Sequence, residues 1–183
     1  LEAIGDEVRR VTYQGDVGLH VAKSIWGMRE MGKENVIEDL EKLPLEERVK
    51  FMGQAYALGS TKYEEDPVVK EAIHELNKMV YQKAQLAQDP AQLGQKDPSI
   101  AEIYEKGLEW TLAYFDLMYQ RLGSTFVKNY FESVAGPIGL ALVMKHLKEG
   151  VFKESDGAII FEGEKYSLHN RVFINSLGLP TYE

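Results

Sequence analysis

Between residues 45 and 123 apolar side chains recur at helical spacing, and this pattern limits the middle of the chain to packed helices. Leu45, Val49, Met52, Tyr56 and Gly59 share one face of a first helix. Asp66-Pro67 is a start signal: Asp accepts from the free N–H groups of a first turn, and Pro fits the first helical position. Val69, Ile73, Leu76 and Val80 then form a second stripe. The segment from Gln85 to Lys96 is polar, contains Pro90 and Gly94, and reads as a loop. Either Asp97-Pro98 or Ser99-x-x-Glu102 opens a third helix. Its stripe is Ile100, Ile103, Tyr104, Leu108, Thr111, Phe115, Met118 and Leu122, and Gly123 ends it.

Strand-like segments flank this block. Val8 to Gln14 reads as a strand, followed by a Gly15-Asp16-Val17-Gly18 turn and a helix carrying Val17, Val21, Ile25 and Met28. On the far side, Phe126 to Phe131 reads as extended and Pro137 to Lys148 as a helix stopped by Gly150. Ala158 to Phe161 and Arg171 to Asn175 read as short strands, the second leading into a Gly178-Leu179-Pro180 turn. The expected class is therefore α/β with a large helical insertion, not a repeat array. Leu1 to Gly5 reads as the last turn of a helix and Thr181-Tyr182-Glu183 as the start of an element, so both ends read as cut.

Composition narrows the function classes. With 183 residues, 44% apolar and 27% charged, the chain can bury a real core. The longest strongly apolar run, Ile138 to Met144, is too short to cross a bilayer, and no signal peptide opens the chain. The absence of cysteine excludes disulfides and thiolate metal sites and fits a reducing cytoplasm. A net charge of -8 argues against a stand-alone nucleic-acid module, and any RNA contact would need a local basic patch. No glycine-rich phosphate loop and no Gly-x-Ser-x-Gly elbow occur. His20, His74, His146 and His169 are scattered without metal-ligand spacing, so no metal site is expected. The aromatic series Trp110, Tyr114, Phe115 and Tyr119 reads as core and rim rather than as a base-stacking platform.

Three longer strings carry the reading further. Tyr13-Gln14-Gly15-Asp16-Val17-Gly18-Leu19-His20 resembles the Gly-Asp-Trp-Gly segment of arginyl-tRNA synthetases. Leu122-Gly123 through Phe131-Glu132-Ser133 resembles the segment closing that family's helical insertion. Asp156 to Phe161, Arg171 to Ser176 and Gly178-Leu179-Pro180-Thr181-Tyr182 resemble a later part of the same catalytic domain, where a Gly-x-Pro-Thr-Tyr strand leads into the amino-acid pocket. Their order and spacing match across nearly the whole chain.

The resemblance implies a partial Rossmann-type parallel sheet of class I synthetase kind. Residues 1–30 and 122–183 would be core segments, and about 31–121 the helical insertion. The whole, 1–183, would be an internal part of a catalytic domain. The implied activity is arginine activation with Mg-bound ATP, then esterification to tRNA(Arg), in the cytoplasm, with no membrane or DNA partner. Tyr182 matches the tyrosine that contacts substrate arginine, and a phenol can accept from a guanidinium or pack on its plane. The active-site cleft is expected to involve Asp16, Gly18, His20 and Asn175; Asp16 lines it or caps the following helix. His20 stands where many members carry Gln, and the roles of His169 and Arg171 stay open.

Departures touch local detail. Val17 stands where Trp is common, Val127 where an acidic residue is frequent, and Leu177 where an acidic or polar one is expected. The His-Ile-Gly-His-type and Lys-Met-Ser-Lys-Ser-type motifs that hold ATP are absent. The chain alone is thus expected to be inactive and not to bind ATP tightly, because no preorganised donors meet the charge of the transition state. A non-catalytic synthetase-like module that binds RNA or protein is the alternative. The strands around Val11, Ile160 and Phe173 are expected to share one sheet.

Overall fold

The computed structural model describes residues 2–32, 35–86 and 98–181. It divides into two compact units, residues 1–129 and 130–183.

In the first unit, a single 3-10 turn at Glu2–Ile4 ends where Gly5 N–H donates back to Glu2 O. Strand β1 (Val11–Gln14) leads through the glycine turn into α1 (Leu19–Gly32), followed by α2 (Val36–Glu41), α3 (Leu45–Glu65), α4 (Pro67–Leu86) and α5 (Pro98–Leu122). Asp66 separates α3 from α4, and its carboxylate accepts from Val68 and Val69 N–H at 2.8 and 3.3 Å. That is the capping role its sequence position implies. The described part of helix α5 runs from Pro98; Asp97 and most of the expected Gln85–Lys96 loop lie outside the described residues.

Packing in this unit is set by close backbone approach. A Cβ added to Gly27 of α1 would lie 2.0 Å from the Ala55 carbonyl oxygen of α3, and one added to Gly59 would lie 2.2 Å from Lys23 O. The two helices cross where neither chain has a side chain to hold them apart. Around that crossing Ile25, Met28, Ile73, Val80, Ile103 and Trp110 are buried. Arg48 pins the end of α2 by donating to Glu41 O and Leu43 O at 2.9 and 2.8 Å, while its guanidinium lies over the Trp110 ring.

Strand β2 (Lys128–Phe131) pairs with β1 and spans the division between the units. Within the first unit, Val127 N–H donates to Arg10 O at 2.9 Å, and Thr12 Oγ1 donates to Asn129 Oδ1 at 2.7 Å.

The second unit contains α6 (Glu132–Lys148) and a small sheet ordered β3 (Lys153–Ser155), β4 (Ala158–Phe161), β5 (Arg171–Ile174). Both pairings are antiparallel. Its core is Val143, Ile159 and Ile174, with Phe152 and Phe173 packed against them, their rings 4.9 Å apart.

Two expectations are corrected here. Strands near Val11, Ile160 and Phe173 do not form one sheet: β1 pairs with β2, while β4 and β5 lie in the other sheet, and that sheet is antiparallel rather than parallel. The physical reason is that strand periodicity reports which face is buried, whereas the ladder partner is a non-local choice. Helix α6 also starts five residues before Pro137. Pro137, the sixth residue of α6, forgoes the bond to Ser133 O and crowds that carbonyl, a local cost that the rest of the helix outweighs. The overall class, mixed α/β and mostly helical, is as expected.

Candidate functional site

The turn between β1 and α1 builds the site. Gly18 has φ +111, a conformation open to glycine and costly to residues with a Cβ. Its carbonyl accepts from Val21 and Ala22 N–H at 3.0 and 3.2 Å, so α1 starts from Gly18. Asp16 lies two residues before that capping position and is only 6% exposed. Its Oδ2 accepts from the Tyr104 hydroxyl of α5 at 3.3 Å, across 88 residues of sequence. Burial, and after it the Asp16 carboxylate, holds the Tyr104 phenol well above its ordinary value, so it remains a neutral donor.

His20 sits one turn into the same structure. Its Nε2 is 3.0 Å from Gly15 O. A carbonyl can only accept, so Nε2 carries the proton in this contact. The ring is exposed, and a Cβ on Gly18 would stand 3.4 Å from it. Asp16 and His20 open onto one pocket of about 180 Å³, walled by Ile25 and Met28 of α1, Met52 of α3 and Ile103, Tyr104 and Thr111 of α5. The walls are largely apolar, and Thr111 Oγ1 is turned away to Gly107 O at 2.7 Å. The pocket is of a size for a single side-chain-sized group with an apolar body.

Asn175 belongs to the second unit and has a different local task. Its Oδ1 accepts from Leu177 and Leu179 N–H at 3.0 and 3.1 Å, and its own N–H donates to Leu179 O at 2.9 Å. These bonds close the turn after β5 and bring Pro180 back opposite Ile174. Thr181 then donates to Phe173 O from its backbone at 3.0 Å. Tyr182 itself lies outside the described residues.

Of the remaining sequence candidates, His169 and Arg171 are exposed. His74 faces Tyr63, and His146 faces Glu149 at 2.7 Å. Among the described residues no group of three His, Cys, Asp or Glu could hold a metal ion. No described helix is long and apolar enough to cross a membrane. Sequence reading treated Tyr104 as a stripe residue and missed its bond to Asp16. The available signal was chemical: a phenol on a buried stripe needs a partner for its hydroxyl.

No protein-family profile matches the chain. Individual relatives do. The chain is similar over its whole length to the arginine–tRNA ligase of Amoebophilus asiaticus, with 28% identity, and to that of Parabacteroides distasonis, with 24% identity, spanning 31% of each. The arginine–tRNA ligase of Treponema denticola is 27% identical over the whole chain, which spans 28% of it. Among solved structures, the crystal structure of arginyl-tRNA synthetase from Plasmodium falciparum superposes with a TM-score of 0.60 at 20% identity, covering 99% of this chain and 27% of that one. These relatives are all arginine–tRNA ligases, and the solved structure shares the chain's fold. The chain spans less than a third of the length of these relatives.

Proposed function

We propose that this chain is part of the catalytic domain of a polypeptide that joins arginine to tRNA(Arg) at the expense of ATP. The observation that carries the reading is similarity to arginine–tRNA ligases from one end of the chain to the other, helical block included. Residues 1–30 and 122–183 are assigned to the catalytic core and 31–121 to its helical insertion.

Within that reading the residues divide their tasks. Asp16 is a positioning residue: with Tyr104 it ties the glycine turn to α5, and so holds Gly15 and His20 at the pocket. His20 is the group that meets a ligand, since its ring is exposed and one nitrogen is already committed to Gly15 O. Asn175 sets the turn that delivers Tyr182, and Tyr182 contacts the substrate guanidinium through its phenol. Rigid support of this kind matters because small misplacements of reacting groups cost large factors in rate.

The described residues offer no cradle for a triphosphate. The Gly15–Gly18 turn that opens α1 is too short for a standard phosphate loop, and among the described residues no cluster of three acidic or histidine side chains could hold Mg²⁺. ATP and its metal are therefore assigned no ligand among them. The 183 residues alone are expected to show no arginine-dependent, tRNA-stimulated ATP–pyrophosphate exchange; exchange above background by the purified chain would contradict this. The polypeptide encoded by the complete reading frame should charge tRNA(Arg) with arginine, and Tyr182→Ala in it should raise the arginine KM. Charging with another amino acid, or none, would overturn the reading, and an unchanged KM would remove the role of Tyr182.

A further inference from the structure

On the helical block, two ammonium groups gather around one tyrosine. Lys23 Nζ of α1 lies 4.2 Å from the centroid of the Tyr63 ring of α3, and Lys70 Nζ of α4 lies 4.9 Å from the same point. None of the three residues lines the Asp16 pocket. Elsewhere in the block lysines are neutralised: Lys42, Lys50, Lys62, Lys78 and Lys106 each hold a carboxylate at 3.3 Å or closer. Lys23 and Lys70 hold none among the described residues, although the chain is rich in acid. Two like charges drawn to one ring repel each other, and an aromatic face offsets only part of that.

The tyrosine supplies a third donor. Its hydroxyl is 3.1 Å from His74 Nε2, while His74 Nδ1 is buried without a hydrogen-bond partner. A neutral imidazole carries one proton, and a buried lone pair left unmet costs less than a buried N–H left unmet. The proton therefore sits on Nε2 and is donated to the phenol oxygen. The phenol's own hydrogen is left to donate away from His74.

We infer that Lys23, Lys70 and the Tyr63 hydroxyl form a binding site for backbone phosphates of RNA on the helical block. Two compact ammonium groups and a neutral hydroxyl suit phosphate oxygens, which need no planar fork. The site stands on this geometry; the choice of RNA over other polyanions rests on the ligase reading above. Phosphate contact of this kind positions an RNA without reading its sequence.

The test is binding of fluorescent tRNA(Arg), and of an unrelated RNA of equal length, to the 183-residue chain at several salt concentrations. Lys23→Gln/Lys70→Gln should weaken both RNAs by about tenfold at low salt and lower the slope of log K against log salt by about 1.4, the value for two phosphate contacts on a single strand. Tyr63→Phe should weaken binding about threefold and leave the slope unchanged, because it removes a neutral donor. The control Lys42→Gln/Lys78→Gln, at two neutralised lysines, should do neither, and melting curves should confirm that all variants are folded. No RNA binding by the unaltered chain, an unchanged slope in the first variant, or an equal loss in the control would overturn the site. The slope change together with failure of the complete polypeptide to charge arginine would remove the ligase reading and leave the phosphate site standing.

Discussion

In residues 1–129 buried side chains run from Val17 through five helices to Trp110, whereas in residues 130–183 Val143, Ile159 and Ile174 are the only buried apolar side chains among the described residues. The second unit is not short of apolar residues. Along α6, Val134, Ile138 and Leu142 recur at intervals of four and are 59%, 60% and 52% exposed. A stripe at that spacing is one a helix normally buries. In the helical block one continuous buried cluster joins all five helices; in the second unit one side of α6 is packed and the other is open. The two units thus differ in how much of their apolar helix surface they bury themselves.

The comparison can be broken first at the closed core. Trp110 is 2% exposed and carries the Arg48 contact that holds the end of α2. Trp110→Ala should cost about 3–5 kcal/mol in urea unfolding of the first unit. A loss near zero would mean that the block is loosely packed after all.

A smaller effect is expected at the Asp16 pocket. Tyr104→Phe removes the hydroxyl donor and leaves Asp16 buried without that bond, at a cost of about 1.5 kcal/mol, the lower end for a bond to a charged group because 3.3 Å is long. Hydrogen exchange of the amides in the turn 15–18 should rise with it. Unchanged exchange would show that Tyr104 does not hold the turn.

Smaller again is the effect on the open stripe. Ile138→Ser in the 183-residue chain should change stability by no more than about 0.5 kcal/mol, as for an ordinary surface site. In the complete polypeptide the same substitution should cost several times more, if further residues cover α6. Equal effects in both settings would mean that the stripe stays exposed.

The least effect is electrostatic. Glu162 accepts from Lys153 at 2.5 Å and pairs with Lys165, and these two ammonium groups hold its carboxyl down at about 2, against an ordinary 4.5. A depressed carboxyl stabilises the fold above its unfolded value, so the contribution is complete above about pH 4.5 and fades as pH falls toward 2. The pair is partly open to solvent, and the effect is correspondingly small. Glu162→Gln should flatten the acid side of the second unit's stability profile. An identical profile in wild type and variant would remove the role.

What the sequence showed of this molecule was mostly local. Asp66 caps α4 because capping is settled within a few residues. The stripe residues Ile25, Met28, Ile73, Val80 and Ile103 are buried because helical spacing alone fixes a face. Trp110 was placed among core and rim aromatics and left out of the stripe, although it stands seven residues after Ile103 on the same helix face, and both are buried. Strand pairing was misjudged for β1, since two strands more than a hundred residues apart carry no mark of each other. Of the cleft candidates, Asp16 and His20 meet at one pocket because they stand four positions apart, across the turn and the first residues of α1. Asn175 was named for the cleft, yet its oxygen is occupied by two backbone donors of its own turn, a detail only the fold reveals.

The glycine turn at residues 15–18 is claimed as part of the wall of an arginine-charging site, held in place from below by Asp16. Steady-state arginylation of tRNA(Arg) by the complete polypeptide, with and without Asp16→Asn, puts this to the test. A fall in kcat/KM of about a hundredfold, with the melting temperature of the helical block little changed, is the predicted result. Arginylation at the wild-type rate by the variant would contradict it.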